Sequence, residues 1–249
     1  MSPIVFGIHA INALLEQKPT HIEKVLISIT RTDHRIKTLI EKLQSHNIII
    51  IKVNKNQLDT QSRGAAHQGI IAFTQTDLLY KENDLKNLIT NLKNPFFLIL
   101  DGVTDPHNLG ACIRSAYSAG IHAVIIPKDR TAPLNAVAKK AASGATEYIP
   151  LIRVTNLARI MRALQKENIW IIGATEKAQK NLYQSNMTGR LSLVMGGEEK
   201  GIRRLTLEHC NELINIPMMG ATPSLNLSVA TGICLYEAVR QRMFQPTIV

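Results

Sequence analysis

The sequence predicts an α/β fold: a small N-terminal α/β domain over residues 1–75, a linker over 76–94, and a larger domain over 95–249 whose mainly parallel sheet is covered by helices on both faces. Three observations carry this expectation. Short apolar runs such as 48–51 and 96–100 recur, and from Pro95 onward they alternate with segments of helical period. The 249 residues are 45% hydrophobic and 19% charged, which excludes a disordered polymer and supplies a sizeable core. Residues 76–94 are polar, only weakly helical in pattern, and end on Asn94-Pro95, a break between two patterned regions.

In the first part, Ile8, Ile11, Leu14 and Leu15 recur at helical spacing, residues 25–29 read as a strand, and Asp33 is placed to cap a helix that carries Ile36, Leu39, Ile40 and Leu43. The β-branched run 48–53 predicts a buried strand, and a polar stretch containing Arg63 and His67-Gln68-Gly69 leads into a strand over 70–73. In the second part, strands are expected over 96–100, 124–127, 169–173, 191–195 and 213–216. Helices are expected from Asp105-Pro106 to Gly120, over 135–143 and 157–167, and from Ser224 to Arg242.

No apolar run approaches the roughly 18 residues of a membrane span, and residues 1–7 lack the pattern of a secretory leader, so a cytoplasmic protein is expected. Cys112, Cys210 and Cys234 are too few and too widely spaced for a disulfide framework or a thiol zinc site. The balance of 29 Lys+Arg against 19 Asp+Glu gives +10. Counted in the sequence it is +4 over 1–75 (9 against 5), zero over 76–94 (3 against 3) and +6 over 95–249 (17 against 11). A positive surface spread over two regions suits a polyanion such as RNA, although a solubilising surface has the same composition. With 4% aromatic residues, base stacking is not expected to dominate.

Three segments place small or polar residues just past the end of an expected buried strand, where open α/β sheets bind ligands. The first runs from Asp101 to Gly110, with Asn108 near the helix start and Arg114 six positions on, about 9 Å along a helix axis. A helix cap and a surface arginine would account for that segment alone. The second is Gly196-Gly197-Glu198, whose glycines permit close backbone approach but match neither a P-loop nor a dinucleotide fingerprint. The third, residues 216–230, brings Ile216, Met218, Ser224, Leu225 and Asn226 to a strand end and the next helix start; packing alone would not choose an asparagine there.

Residues 101–120, 194–204 and 216–242 together resemble motifs 1, 2 and 3 of the SpoU (TrmH) branch of the SPOUT RNA 2'-O-methyltransferases. Gly7-Ile8-His9-Ala10 and His67-Gln68-Gly69-Ile70 resemble the substrate-binding domain of the subgroup that methylates a guanosine of bacterial 23S rRNA, so the likeness spans nearly the whole chain. It implies a ribosomal-protein-like N-terminal domain, a C-terminal trefoil knot and a homodimer. Periodicity could not have indicated the knot.

The resemblance implies catalytic roles for Asn108, Arg114, Glu198, Ser224 and Asn226, and S-adenosylmethionine held by Gly196, Gly197, Ile216, Met218 and Leu225 without a metal. RNA contacts are expected at Lys52, Lys55, Arg63 and His67. The alternatives are a tRNA guanosine or resistance-type rRNA adenosine 2'-O-methyltransferase, and an RNA-binding assembly factor without catalysis. Ala221-Thr222-Pro223 departs from the usual polar run before Ser-Leu-Asn.

Overall fold

The computed structural model describes residues 4–17, 19–62, 67–74, 80, 82–221 and 224–244. It divides into two compact units: Met1–Leu78 with Asn135–Tyr148, and Leu79–Leu134 with Ile149–Val249. In chain order the regular elements are β1 (Ile4–Phe6), α1 (Ile8–Gln17), β2 (Ile22–Ser28), α2 (His34–Ser45), β3 (Ile49–Val53), α3 (Lys55–Ser62) and β4 (Ile70–Thr74). Next come α4 (Glu82–Asn91), β5 (Phe96–Asp101), α5 (Pro106–Ser118), β6 (Ala123–Pro127), α6 (Ala136–Ala141), β7 (Leu151–Val154), α7 (Leu157–Lys166) and β8 (Trp170–Ala174). The chain ends on β9 (Lys180–Asn181), β10 (Leu191–Gly196), α8 (Arg204–Leu207), β11 (Glu212–Asn215) and α9 (Leu227–Met243).

The first unit holds a four-stranded sheet in the order β1-β4-β2-β3, antiparallel except for the parallel β2/β3 pair. Ile11, Leu14, Leu15, Ile36, Leu39 and Leu43 seal one face under α1 and α2, as the helical spacing predicts. The run 48–53 is not buried throughout. β3 is an edge strand with Ile49 62% exposed, because its one neighbour is β2 and only α3 reaches part of its second face. Residues 135–148 also belong to this unit. A Cβ on Gly144 would lie 3.4 Å from the Ala10 Cα, and the Tyr148 hydroxyl donates to Glu16 Oε2 at 3.3 Å.

The second unit is a seven-stranded parallel sheet in the order β7-β6-β5-β10-β8-β11-β9. All six residues of β5 are buried, as a parallel strand covered on both faces requires. From β5 the chain builds outward to β6 and β7, and every later strand lies on the other side of β5. The strand order therefore reverses at the β5/β10 pair, where open sheets leave a crevice beyond their carboxyl ends.

The expected linker needs correction. Within 76–94, α4 buries Leu85 and Ile89 in the core beside Phe97, Ile152 and Met161, a burial that stabilises the unit by about 1.5–3 kcal/mol per side chain. Thr155 N donates to Glu82 Oε1 at 3.1 Å and fixes the start of the same helix. α4 is thus part of the second unit.

Candidate active site

β5 ends in Asp101, and Asp105 then opens α5: its carboxylate accepts from the N–H groups of His107 and Asn108, both at 3.1 Å, with Pro106 in the first turn. This cap fixes Asn108 in the first turn, where its side chain is buried. β10, hydrogen-bonded to β5 in register from Leu191↔Phe96 to Gly196↔Asp101, delivers Gly196, Gly197 and Glu198 alongside. A Cβ on Gly196 would overlap the Gly201 carbonyl carbon and the Ile202 nitrogen, and one on Gly197 would overlap the Gly102 carbonyl oxygen. Only glycines let these three backbone segments converge.

The third segment arrives from β11. Asn226 caps α9, accepting from Ser228 N at 2.9 Å and Val229 N at 3.4 Å. The helix therefore begins at Leu227, three residues after the expected Ser224, because the asparagine serves as its cap. The Asn226 amide donates to Asn108 Oδ1 at 3.1 Å, and the Asn108 amide donates to Glu198 Oε1 at 2.7 Å. One continuous hydrogen-bonded chain, Asn226 to Asn108 to Glu198, joins residues 118 and 90 positions apart.

Arg114 stands exposed on α5 with no hydrogen bond or ion pair among the described residues. Ser224 is exposed two residues before the cap. Ile216 lies half-buried just past β11, and Met218 and Leu225 are 36% and 37% exposed. Gly196 ends β10, Gly197 follows it, and Ile216 directly follows the end of β11. Thr222 and Pro223 lie outside the described residues.

Asp101 escaped the sequence reading. It is fully buried, and both its oxygens go to Arg203: Oδ2 accepts from the backbone N at 3.0 Å, Oδ1 accepts from Nε at 2.6 Å, and Nη2 also pairs with Oδ1. Gly201 N donates to the Gly197 carbonyl at 2.9 Å, so the loop carrying Glu198 is closed on itself and pinned to β5. The signal in the sequence is a carboxylate ending a wholly apolar strand, which must find a partner.

Burial pushes the Cys112 thiol up to about 12, and its Sγ donates to Thr231 Oγ1 at 3.4 Å. Cys234 is likewise pushed up to about 12 by burial. Neither is a nucleophile at neutral pH. Among the described residues no group of three or more His, Cys, Asp and Glu is placed to hold a metal ion.

In the first unit, Lys52 and Lys55 are exposed without a partner among the described residues, and Arg63 lies outside them. His67 does not face outward as expected. It is buried, its Nδ1 accepts from Gly69 N at 3.0 Å, and its Nε2 lies 2.8 Å from Asp59 Oδ1. Both ring nitrogens are used inside the fold, which fixes the proton on Nε2 and makes His67 a brace for the turn into β4.

Three segments thus converge beyond the carboxyl ends of the parallel sheet. The sequence profile described as the SpoU rRNA Methylase family matches residues 95–236, and that described as RNA 2'-O ribose methyltransferase substrate binding matches 4–77. The chain belongs to the SpoU methylase family. Among individual proteins, it is 62% identical over 242 residues to the 23S rRNA (guanosine-2'-O-)-methyltransferase RlmB of Escherichia coli K12, covering 97% of this chain and 100% of that one. The SpoU methyltransferase AviRb of Streptomyces viridochromogenes, solved with its cofactor AdoMet, superposes with a TM-score of 0.80 at 22% identity over 96% of this chain and 90% of that one. A TrmH/SpoU tRNA modifying enzyme of A. aeolicus gives a TM-score of 0.56 at 28% identity over 65% of this chain and 84% of that one.

Proposed function

We propose that this chain transfers a methyl group from S-adenosylmethionine to the ribose 2'-oxygen of a guanosine in 23S rRNA. The observation that carries the reading is the Asn226–Asn108–Glu198 chain, which ties the three expected motifs into one site. The near full-length likeness to RlmB supports guanosine and 23S rRNA over tRNA or adenosine, and the match to the tRNA enzyme leaves about a third of this chain uncovered. The polar chain weighs against a catalytically silent assembly factor, which has no need to fix these groups.

Gly196, Gly197, Ile216, Met218 and Leu225 would hold the donor, which supplies an electrophilic methyl when bound. A ribose 2'-hydroxyl is a weak acid and poor nucleophile, so the protein must orient it in line and help its proton leave. Arg114, exposed and with no hydrogen bond or ion pair among the described residues, is the group for that task. A guanidinium is a lasting cation, so its part is to fix the ribose-phosphate and favour the alkoxide. Asn108, held by Glu198 and Asn226, keeps the rim of the site rigid, and Ser224 supplies a hydroxyl beside it.

The same reading extends to features of the family. We extend the reading to the C-terminal segment being threaded as a trefoil knot, an extension that rests on the family likeness alone. Two copies pair through α5 and α9, whose Tyr117, Val229 and Tyr236 are 45–52% exposed. Residues 1–75 select the RNA and the domain from Pro95 performs the chemistry, in the cytoplasm and without a metal. Ribose-methylation mapping of 23S rRNA incubated with the protein and S-adenosylmethionine tests the central claim. One new 2'-O-methylguanosine is expected; donor binding without methylation of rRNA would leave the assembly-factor reading.

A further inference from the structure

We infer that the carboxyl ends of β6 and β7 form an anion subsite that takes a phosphodiester of the RNA substrate, an inference that rests on the function proposed above. β6 runs into Lys128-Asp129-Arg130-Thr131, and Lys128 N donates to the Val154 carbonyl at 2.8 Å, which ties this loop to the end of β7. Ala132 N donates to the Val103 carbonyl at 2.7 Å, which ties its far end to the loop that opens α5. The loop is therefore anchored on both sides at the sheet edge where Asn108 sits.

Its charges are unspent. Lys128 and Arg130 are exposed, and neither side chain makes a hydrogen bond or ion pair among the described residues. Arg130 has a φ of 58°, a left-handed backbone that a non-glycine residue adopts only at an energetic cost. Two buried polar atoms also lack partners among the described residues: Thr131 Oγ1 in this loop and Arg153 Nε on β7.

Arg153 pairs in register with Ile126 on β6. Its neighbours Ile152 and Val154 belong to the core beneath α4 and α7, so its side chain points to the opposite face of the sheet. That is the face of α9, whose Arg242 lies 4.2 Å from the Phe96 ring centroid while Phe97 belongs to the core beneath α4 and α7, and α5 packs against α9. The nearby carboxylate of Glu82 is already taken by Thr155 and Arg159. The two exposed cations of this anchored loop, with the Arg153 guanidinium on the neighbouring strand, match the charge of a phosphate.

The test is an RNA-binding series over several salt concentrations with full-length wild type, a Lys128→Gln/Arg130→Gln variant, and an Arg162→Gln/Lys166→Gln control that removes equal charge from α7. Lys128 and Arg130 are exposed, so the first variant should keep the wild-type melting temperature; Arg153→Gln, made separately, requires a melting check. The subsite variant should lose roughly 1.5 from the slope of log affinity against log salt and show a KM for RNA at least fivefold higher. The control should lose less than a third of that slope. Equal slopes and KM for variant and wild type, or an equal loss in the control, would overturn the subsite. Wild type that fails to methylate 23S rRNA would instead remove the function, while the slopes would still report on the subsite.

Discussion

In the second unit Asn108, Glu198 and Asn226 use their polar groups on one another, whereas in the first unit Lys52 and Lys55 stand exposed without a partner among the described residues. The contrast follows from what each reading asks. Transferring a group in line requires atoms held to within fractions of an ångström, so hydrogen bonds are made in advance. Gripping a polyanion requires cations that exchange small counterions for phosphates, and a cation already paired has little to offer. Arg114 sharpens the comparison: it lies on the same helix as Asn108 yet makes no hydrogen bond or ion pair among the described residues, as the role proposed for it requires.

The division into two units is the first part of this comparison that can be broken, and it carries the largest effect. If α4 belongs to the second core, Leu85→Ala should destabilise that unit by about 2–5 kcal/mol, read by chemical denaturation. A loss within experimental error would return residues 76–94 to the status of a linker. Next in size is Arg114. Arg114→Ala should lower the methylation rate about a hundredfold or more while donor affinity stays within a few-fold. Arg114→Lys should fail as well, because a point charge cannot reproduce the planar fork. Near-normal turnover in either variant would strike Arg114 from the mechanism.

The parts of the molecule that the sequence made legible share a physical property. β5 is apolar up to Asp101 and β10 is apolar but for Ser192 before its glycines, as strands buried on both faces of a parallel sheet are. Leu85, Leu88 and Ile89 of α4 have helical spacing too, but the surrounding charges mask a stripe only a few side chains wide. Ile48 to Ile51 are four isoleucines in a row, and a run without alternation cannot say which face is covered or whether the strand lies at an edge.

The site divides in the same way. The motif resemblance picked out Asn108, Glu198 and Asn226, yet their mutual bonds depend on strand order, which no spacing reveals. The buried Asp101–Arg203 pair spans 102 positions. His67 was misjudged because a polar run conceals which of its members turns inward.

Two smaller effects probe the contrast between held and unpaired groups. Asn108→Ala breaks both links of the polar chain. Glu198 and Asn226 are exposed enough to regain water, so the stability loss should be only about 1 kcal/mol, while the rate should fall roughly tenfold, equivalent to about 1.4 kcal/mol. A rate equal to wild type would mean that the rim does not need fixing. Lys52→Gln and Lys55→Gln should each remove a little under one unit from the salt slope of RNA binding and leave donor affinity untouched. Unchanged slopes would move the RNA site away from this edge of the first unit.

The smallest effect concerns the thiols of the α5/α9 contact. Cys112 lies on α5 between Asn108 and Arg114, Cys234 lies on α9, and burial raises both from an ordinary 9.0 to about 12. Raised thiol values favour the neutral folded form, so their contribution to stability is complete below pH 9 and is lost as pH climbs from there toward 12. Alkaline unfolding should therefore begin to weaken the protein above about pH 9. At pH 8 the thiolate fraction is minute, and a small alkylating reagent should leave the methylation rate unchanged over an hour. Rapid modification of Cys112 at that pH with loss of activity would mean that α5 and α9 separate under native conditions, and the rigid site opposed here to the open first unit would not be rigid.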